Sequence, residues 1–169
     1  MIEAQLDFSE EEIEKMLANL DVFSPDEVDE IDRMVCKLST RNETKNAYDD
    51  LIAFCQHMQP DYIVGKHHRM LADMLMAIER GEKDRICVNI PPRHGKSQLV
   101  SIMFPAWFLG RNPDKKVMMV SHTTDLAVDF GRKVRNLINS DQYRSVFPTV
   151  QLAQDSKSAG RWNTSVGGE

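Results

Sequence analysis

An α/β fold with a parallel sheet, preceded by an α-helical region, is the class this sequence predicts. Three observations predict it. A β-rich apolar run, Ile86 to Ile90, ends in a turn, and Gly95-Lys96-Ser97 at the end of that turn opens a helical pattern. A second apolar run, Lys116 to Ser121, is followed by a second amphipathic pattern from Thr124 to Asn139. The order strand, helix, strand, helix calls for parallel strands joined by right-handed crossovers.

The 169 residues are ordinary globular material, 41% apolar and 28% charged, enough for a sizeable core. The net charge of −5 hides an asymmetry: residues 1–32 hold twelve acidic side chains and one basic, the rest 14 acidic and 20 basic. An acidic arm of −11 therefore stands before a mildly cationic body of +6. No apolar run approaches membrane-spanning length, and the acidic start is unlike a signal peptide. Cys36, Cys55 and Cys87 are odd in number and unclustered, with Cys87 inside the first apolar run, which reads as buried; this is the pattern of a reducing compartment.

Ser9-Glu-Glu-Glu12 is a capping box, with Ile13, Leu17 and Leu20 on one helical face. Ser24-Pro-Asp-Glu27 repeats the device before Val28, Ile31, Val35 and Leu38. A third helix is expected over about 44–58, so that residues 1–58 form an acidic helical region and 59–169 the α/β part, with Pro60 at the join. Lys66 to Arg80 is the next helix, stopped by Gly81; the four methionines between 58 and 76 read as core filling. After Ser97 the helical pattern meets Pro105, which has no N–H for the Ser101 carbonyl, so a kink or restart is expected around Phe104. Asn112-Pro113-Asp114 is a turn, Tyr143 to Pro148 a short helix ending on the core, and Arg161 to Val166 the start of a hairpin turning at Gly167-Gly168.

The turn before Lys96 carries the chemistry. A strand, a glycine-containing loop and G-K-S opening a helix form the Walker A context, in which loop amides, the helix N-terminus and a lysine hold phosphates. Lys96 would reach the β- and γ-phosphates, and the Ser97 hydroxyl would ligate Mg²⁺. Backbone amides of His94, Gly95, Lys96, Ser97 and Gln98 surround that point. The pattern departs from the full motif at Ile90, where glycine is usual, and Pro91-Pro92 stiffens the loop and removes two donors. Arg93 offers cationic donors instead. His67-His68 opens the preceding helix and is a candidate for adenine contact, or simply a polar helix start. A zinc site from Cys55, His57, His67 and His68 matches no familiar spacing. His122 follows the second apolar run on the phosphate side, either as a functional residue or as a cap of the next helix.

The succession P-P-R-H-G-K-S (91–97), F-P-A-W-F-L-G-R-N-P-D (104–114), S-H-x-x-D-L-A-x-x-F-G-R-K-V-R (121–135), Y-R-S-V-F-P (143–148) and R-W-N-T-S-V-G-G (161–168) resembles the large terminase subunits of tailed bacteriophages. The resemblance covers about 60–169. It implies a RecA-like P-loop ATPase that drives double-stranded DNA into a capsid, followed in the family by an RNase H-like nuclease domain. It also implies ATP and Mg²⁺ as cofactors, a ring on the portal protein, a small terminase subunit as partner, and the cytoplasm of the bacterial host as location. Carried over by position, Gly95, Lys96 and Ser97 match the phosphate and Mg²⁺ positions, and Arg93 the loop arginine that senses the γ-phosphate. His67 or His68 matches the residue that contacts adenine.

One family element is missing. An apolar strand ending in the Walker B acidic pair does not appear after Lys96, since Val117 to Val120 ends in Ser121-His122. The sheet is therefore expected to be incomplete, the chain to be the front piece of a longer protein, and ATP turnover to be absent from it alone. The alternatives are another P-loop NTPase, such as a helicase, or an interaction module with a vestigial loop.

Overall fold

The computed structural model describes residues 15, 18, 23–157, 162–165 and 167–168. The Ser9–Glu12 capping box and the face of Ile13, Leu17 and Leu20 lie outside the described residues. The chain falls into two compact units, Met1–Asn42 and Glu43–Glu169.

Helix α1 spans Pro25–Asp49. Its start is the expected one: Glu27 Oε2 accepts both the Ser24 amide (2.8 Å) and the Ser24 hydroxyl (2.7 Å). The separate third helix over 44–58 is not formed as such. Helical backbone runs without a break through residues 39–49, and the break falls at Asp50, whose side chain caps α2 (Leu51–Met58) by accepting the Ala53 amide. An internal cap, not a turn sequence, sets that boundary.

The core of the second unit is helical. Leu51, Ile52, Phe54 and Cys55 of α2 meet Leu71, Ala72 and Leu75 of α3 (Lys66–Glu79). Met70 and Met74 of α3 face solvent, so the core-filling reading holds for Met58 and Met76 and fails for these two. The buried face of α3 is His68, Leu71, Ala72 and Leu75, a spacing that leaves positions 70 and 74 on the opposite side.

A helical rod occupies residues 96–111 in three parts: α4 (Lys96–Gln98), a π-turn (Leu99–Met103) and α5 (Phe104–Arg111). The disturbance expected from Pro105 takes this form. The Phe104 amide donates to the Leu99 carbonyl, five residues back, just before the proline that has no amide to give. The rod is anchored by Trp107, whose indole N–H lies 3.1 Å from both the Ala47 and Tyr48 carbonyls. Tyr143 of α7 (Asp141–Val146) donates its hydroxyl to the Ala106 carbonyl at 2.9 Å. Helix α6 (Thr124–Ile138), capped by the Thr123 hydroxyl, covers the rod with Val134 and Ile138.

The parallel sheet is not present among the described residues, which are mostly helical. Residues 86–90 and 116–121 belong to no hydrogen-bonded ladder. Each still shows a strand's period of two: Ile86, Val88 and Ile90 are half-buried while Cys87 and Asn89 are exposed, and Val117 and Met119 are half-buried while Met118 and Val120 are 88% and 85% exposed. The two segments line a common groove of about 590 Å³ and do not pair across it. Apolar side chains on one face hold each to the helices, but neither supplies the backbone partner the other needs. Cys87, expected to be buried, is exposed for the same reason.

The described sheet is antiparallel and two-stranded, β1 (Leu152–Lys157) with β2 (Trp162–Thr164). The stretch from Trp162 thus closes a hairpin with an upstream strand instead of opening one. The turn at Gly167 is nevertheless formed, with the Thr164 amide donating to the Gly168 carbonyl at 2.7 Å. Trp162 donates to the Gly131 carbonyl of α6 and Thr164 to the Pro113 carbonyl, which ties the hairpin to the body.

Candidate functional site

The loop between the first extended segment and the helical rod is built from two left-handed residues. Arg93 has φ 64° and Gly95 has φ 73°. Glycine adopts this conformation freely, whereas arginine there is strained. Between them His94 donates from Nδ1 to the Pro92 carbonyl at 2.9 Å, which closes the turn on itself. The Gly95 carbonyl then accepts the Leu99 amide, so the rod begins immediately after the second reversal.

The side chains at this bend are accessible. Arg93, His94 and Ser97 are exposed; Gly95, Lys96 and Gln98 are half-buried. No ion pair of Arg93 or Lys96 occurs among the described residues. Lys96 and Ser97 line one part of the groove between the two extended segments, and Ser121 lines the same groove. His122 is exposed and does not line it. The bend thus presents a guanidinium, an ammonium and a hydroxyl at the head of a helical run, a donor set suited to an anion.

Behind the bend stand the two histidines that open α3. His68 is buried, 9% exposed. Its Nδ1 accepts the Gly65 amide at 3.0 Å and its Nε2 donates to the His94 carbonyl at 3.0 Å. His67 is more open and reaches the same carbonyl from Nε2 at 3.3 Å, its ring 3.9 Å from that of His68. A Cβ on Gly95 would stand 2.5 Å from His68 Nε2. Close packing against His68, as well as backbone conformation, therefore demands glycine at 95.

Arg93, His94, Gly95, Lys96, Ser97, Gln98, His67 and His68, the eight residues expected from the sequence, all lie in this neighbourhood. Two further residues join them. The Gln98 amide group lies 3.4 Å from Gln59 Oε1, and the Tyr62 ring packs 5.6 Å from that of His68. Burial pushes the Tyr62 phenol up to about 12. Pro60-Asp61, a turn signal directly ahead of Tyr62, was the available hint that this segment folds back. The zinc reading gains no support. Among the described residues no group of three or more His, Cys, Asp or Glu is placed to hold a metal, and burial raises the Cys55 thiol to about 12, away from the thiolate a metal needs.

Likewise, no helix of the described residues is long and apolar enough to cross a membrane. No curated protein and no solved structure matches the chain at a significant level. A family model does match, and it covers the loop, both sides of the groove, α6, α7 and β1. Its family is the terminase large subunit, T4likevirus-type, N-terminal, and over residues 87–158 the chain matches that N-terminal part of a terminase large subunit.

Proposed function

We propose that this chain is the nucleotide-binding front part of a phage DNA-packaging motor. The observation that carries the reading is the bend at 93–97: two positive-φ residues around His94, followed at once by Lys96 and Ser97 at the head of the helical rod. In this reading the amides of residues 94–98 and the Lys96 ammonium hold the β- and γ-phosphates of ATP. The Ser97 hydroxyl would ligate the Mg²⁺ that neutralises charge on those phosphates. Arg93, exposed and held at positive φ, reaches the γ-phosphate. Adenine contact falls to His67, because both ring nitrogens of His68 are engaged.

In the assembled subunit residues 86–90 and 116–121 are strands of a RecA-like parallel sheet, and double-stranded DNA is the moved substrate. Portal protein, small subunit and ring neighbours are the partners that the family implies. Among the described residues no carboxylate lines the groove at Lys96 and Ser97, and the outcome expected for this chain assayed alone is weak nucleotide binding without turnover.

The test is titration of the chain and its Lys96→Ala form with Mg-ATP, with steady-state hydrolysis measured alongside. Loss of one charge-assisted contact should weaken binding about tenfold or more. Equal affinities would remove the phosphate reading and leave an interaction module. Sustained hydrolysis would reveal an acidic pair elsewhere.

A further inference from the structure

We infer that His68 is a positioning residue of the phosphate loop, acting through the His94 carbonyl and not by touching nucleotide. The inference rests on the phosphate-binding reading above and assigns a role within the same site.

The tautomer of His68 follows from its partners. Nδ1 accepts a backbone amide, that of Gly65, and so carries no proton. Nε2 must then carry it, and it donates to the His94 carbonyl. This ring thus joins the first turn of α3 to the loop, with the shorter of the two histidine contacts to the His94 carbonyl. The Gly65 amide would otherwise be an unsatisfied donor at the helix start, and the third helical residue reaching back to it is half of a capping box.

The consequence for the loop lies in the peptide plane. The His94 carbonyl and the Gly95 amide belong to one planar trans unit and point in opposite directions. A donor that holds the carbonyl toward α3 therefore turns the Gly95 N–H away from α3. It also fixes the left-handed bend at Gly95, after which the amides of Lys96 and Ser97 follow. The Cβ-excluding contact at Gly95 brings His68 Nε2 close enough to limit rotation of that peptide. Pro91 and Pro92 provide no amides, so the loop depends on having the remaining ones aimed in advance. Preorganised donors cost no reorganisation on binding.

The two nitrogens can be tested apart. In His68→Asn the side-chain oxygen stands near the position of Nδ1 and keeps the helix cap, while the reach of residue 68 to His94 is lost and only the longer contact of His67 Nε2 to that carbonyl, 3.3 Å, remains. In His68→Gln the amide nitrogen stands near Nε2 and keeps the loop contact. Amide hydrogen exchange of the whole chain without nucleotide should show faster exchange at residues 94–97 in the Asn variant and recovery in the Gln variant. With Mg-ATP as probe, the Asn variant should bind about fivefold more weakly, the equivalent of one hydrogen bond, and Gln should restore most of the loss. Mg-GTP should weaken by the same factor, since the base is not what His68 reads.

Unchanged exchange in His68→Asn would overturn the positioning role whatever the binding shows. A loss confined to ATP would overturn it in favour of adenine contact. If the unmodified chain and Lys96→Ala bind alike, the phosphate reading fails separately, and exchange still reports on the loop.

Discussion

At Gly95 two costs of substitution coincide, and they can be measured separately. An L-residue at φ 73° carries a left-handed penalty of about 1–2 kcal/mol, and the added Cβ also meets His68 Nε2. Gly81 has nearly the same φ, 74°, with nothing within 4 Å of where an added methyl group would stand. Gly81→Ala should therefore lose only the backbone penalty in urea unfolding, about 1–2 kcal/mol. Gly95→Ala should lose clearly more, and the excess measures how tightly His68 is held against the loop. Equal losses would mean that the imidazole moves aside freely, which would weaken the case for a fixed loop. Arg93 bears the same backbone strain without glycine's freedom. Strain kept at a position of a candidate site is where function commonly holds it.

Among the elements, α1 offers a pH prediction with a definite sign. The Ser24 amide, and after it the Ser24 hydroxyl, hold the Glu27 carboxyl below the ordinary glutamate range. A carboxyl depressed in the fold contributes stability above its unfolded value and loses it as pH falls through the folded one. The Ser24 amide resonance should therefore shift with a midpoint below the usual glutamate value, and the α1 N-terminus should fray on the acid side of it. Glu27→Gln should make this end insensitive to pH across that window. A midpoint at or above the ordinary value would show the cap is not formed in solution. This start was legible from Ser24, Pro25 and Glu27 because capping is local chemistry. The starts of α3 and α6 followed from apolar periodicity instead, and the cap of α6 is Thr123, not the neighbouring His122 that the sequence offered. The join between α1 and α2 was not, because Asp50 looks like any polar residue until its carboxylate is seen on the Ala53 amide. Pro105 announced a disturbed helix, but choosing a π-turn over a kink needed the Trp107 and Tyr143 anchors to fix the rod on its far side. The eight residues of the candidate site could be grouped from the sequence because most of them are consecutive. Gln59 and Tyr62 were not, since only the fold brings them back to the loop.

For the whole molecule, residues 86–90 and 116–121, expected to be strands, keep a strand's alternation of exposure, yet a ladder is a property of pairs and neither segment has one among the described residues. Alternation describes one chain's faces; it does not provide the neighbour whose amides and carbonyls complete a sheet. The result is an apolar surface left uncovered. Met118 and Val120 stand 88% and 85% exposed beside the groove of about 590 Å³, and a second hollow of about 620 Å³ reaches from Lys116 to Trp162 on α6's side of the segment. Exposed apolar patches of this kind bind hydrophobic dyes and promote association, and an unpaired strand edge adds open hydrogen-bonding groups. The folded chain should accordingly enhance anilinonaphthalene sulfonate fluorescence and sediment faster as concentration rises. Met118→Lys combined with Val120→Lys should reduce both effects. Because the two side chains are already in solvent, the thermal midpoint should shift little, in line with surface changes of about 0.5 kcal/mol. Unchanged dye fluorescence in the double variant would mean these side chains are covered in solution, either by pairing of the two segments across the groove or by a second molecule. Sedimentation at low concentration separates those cases, since pairing within one chain leaves a monomer and coverage by a neighbour does not.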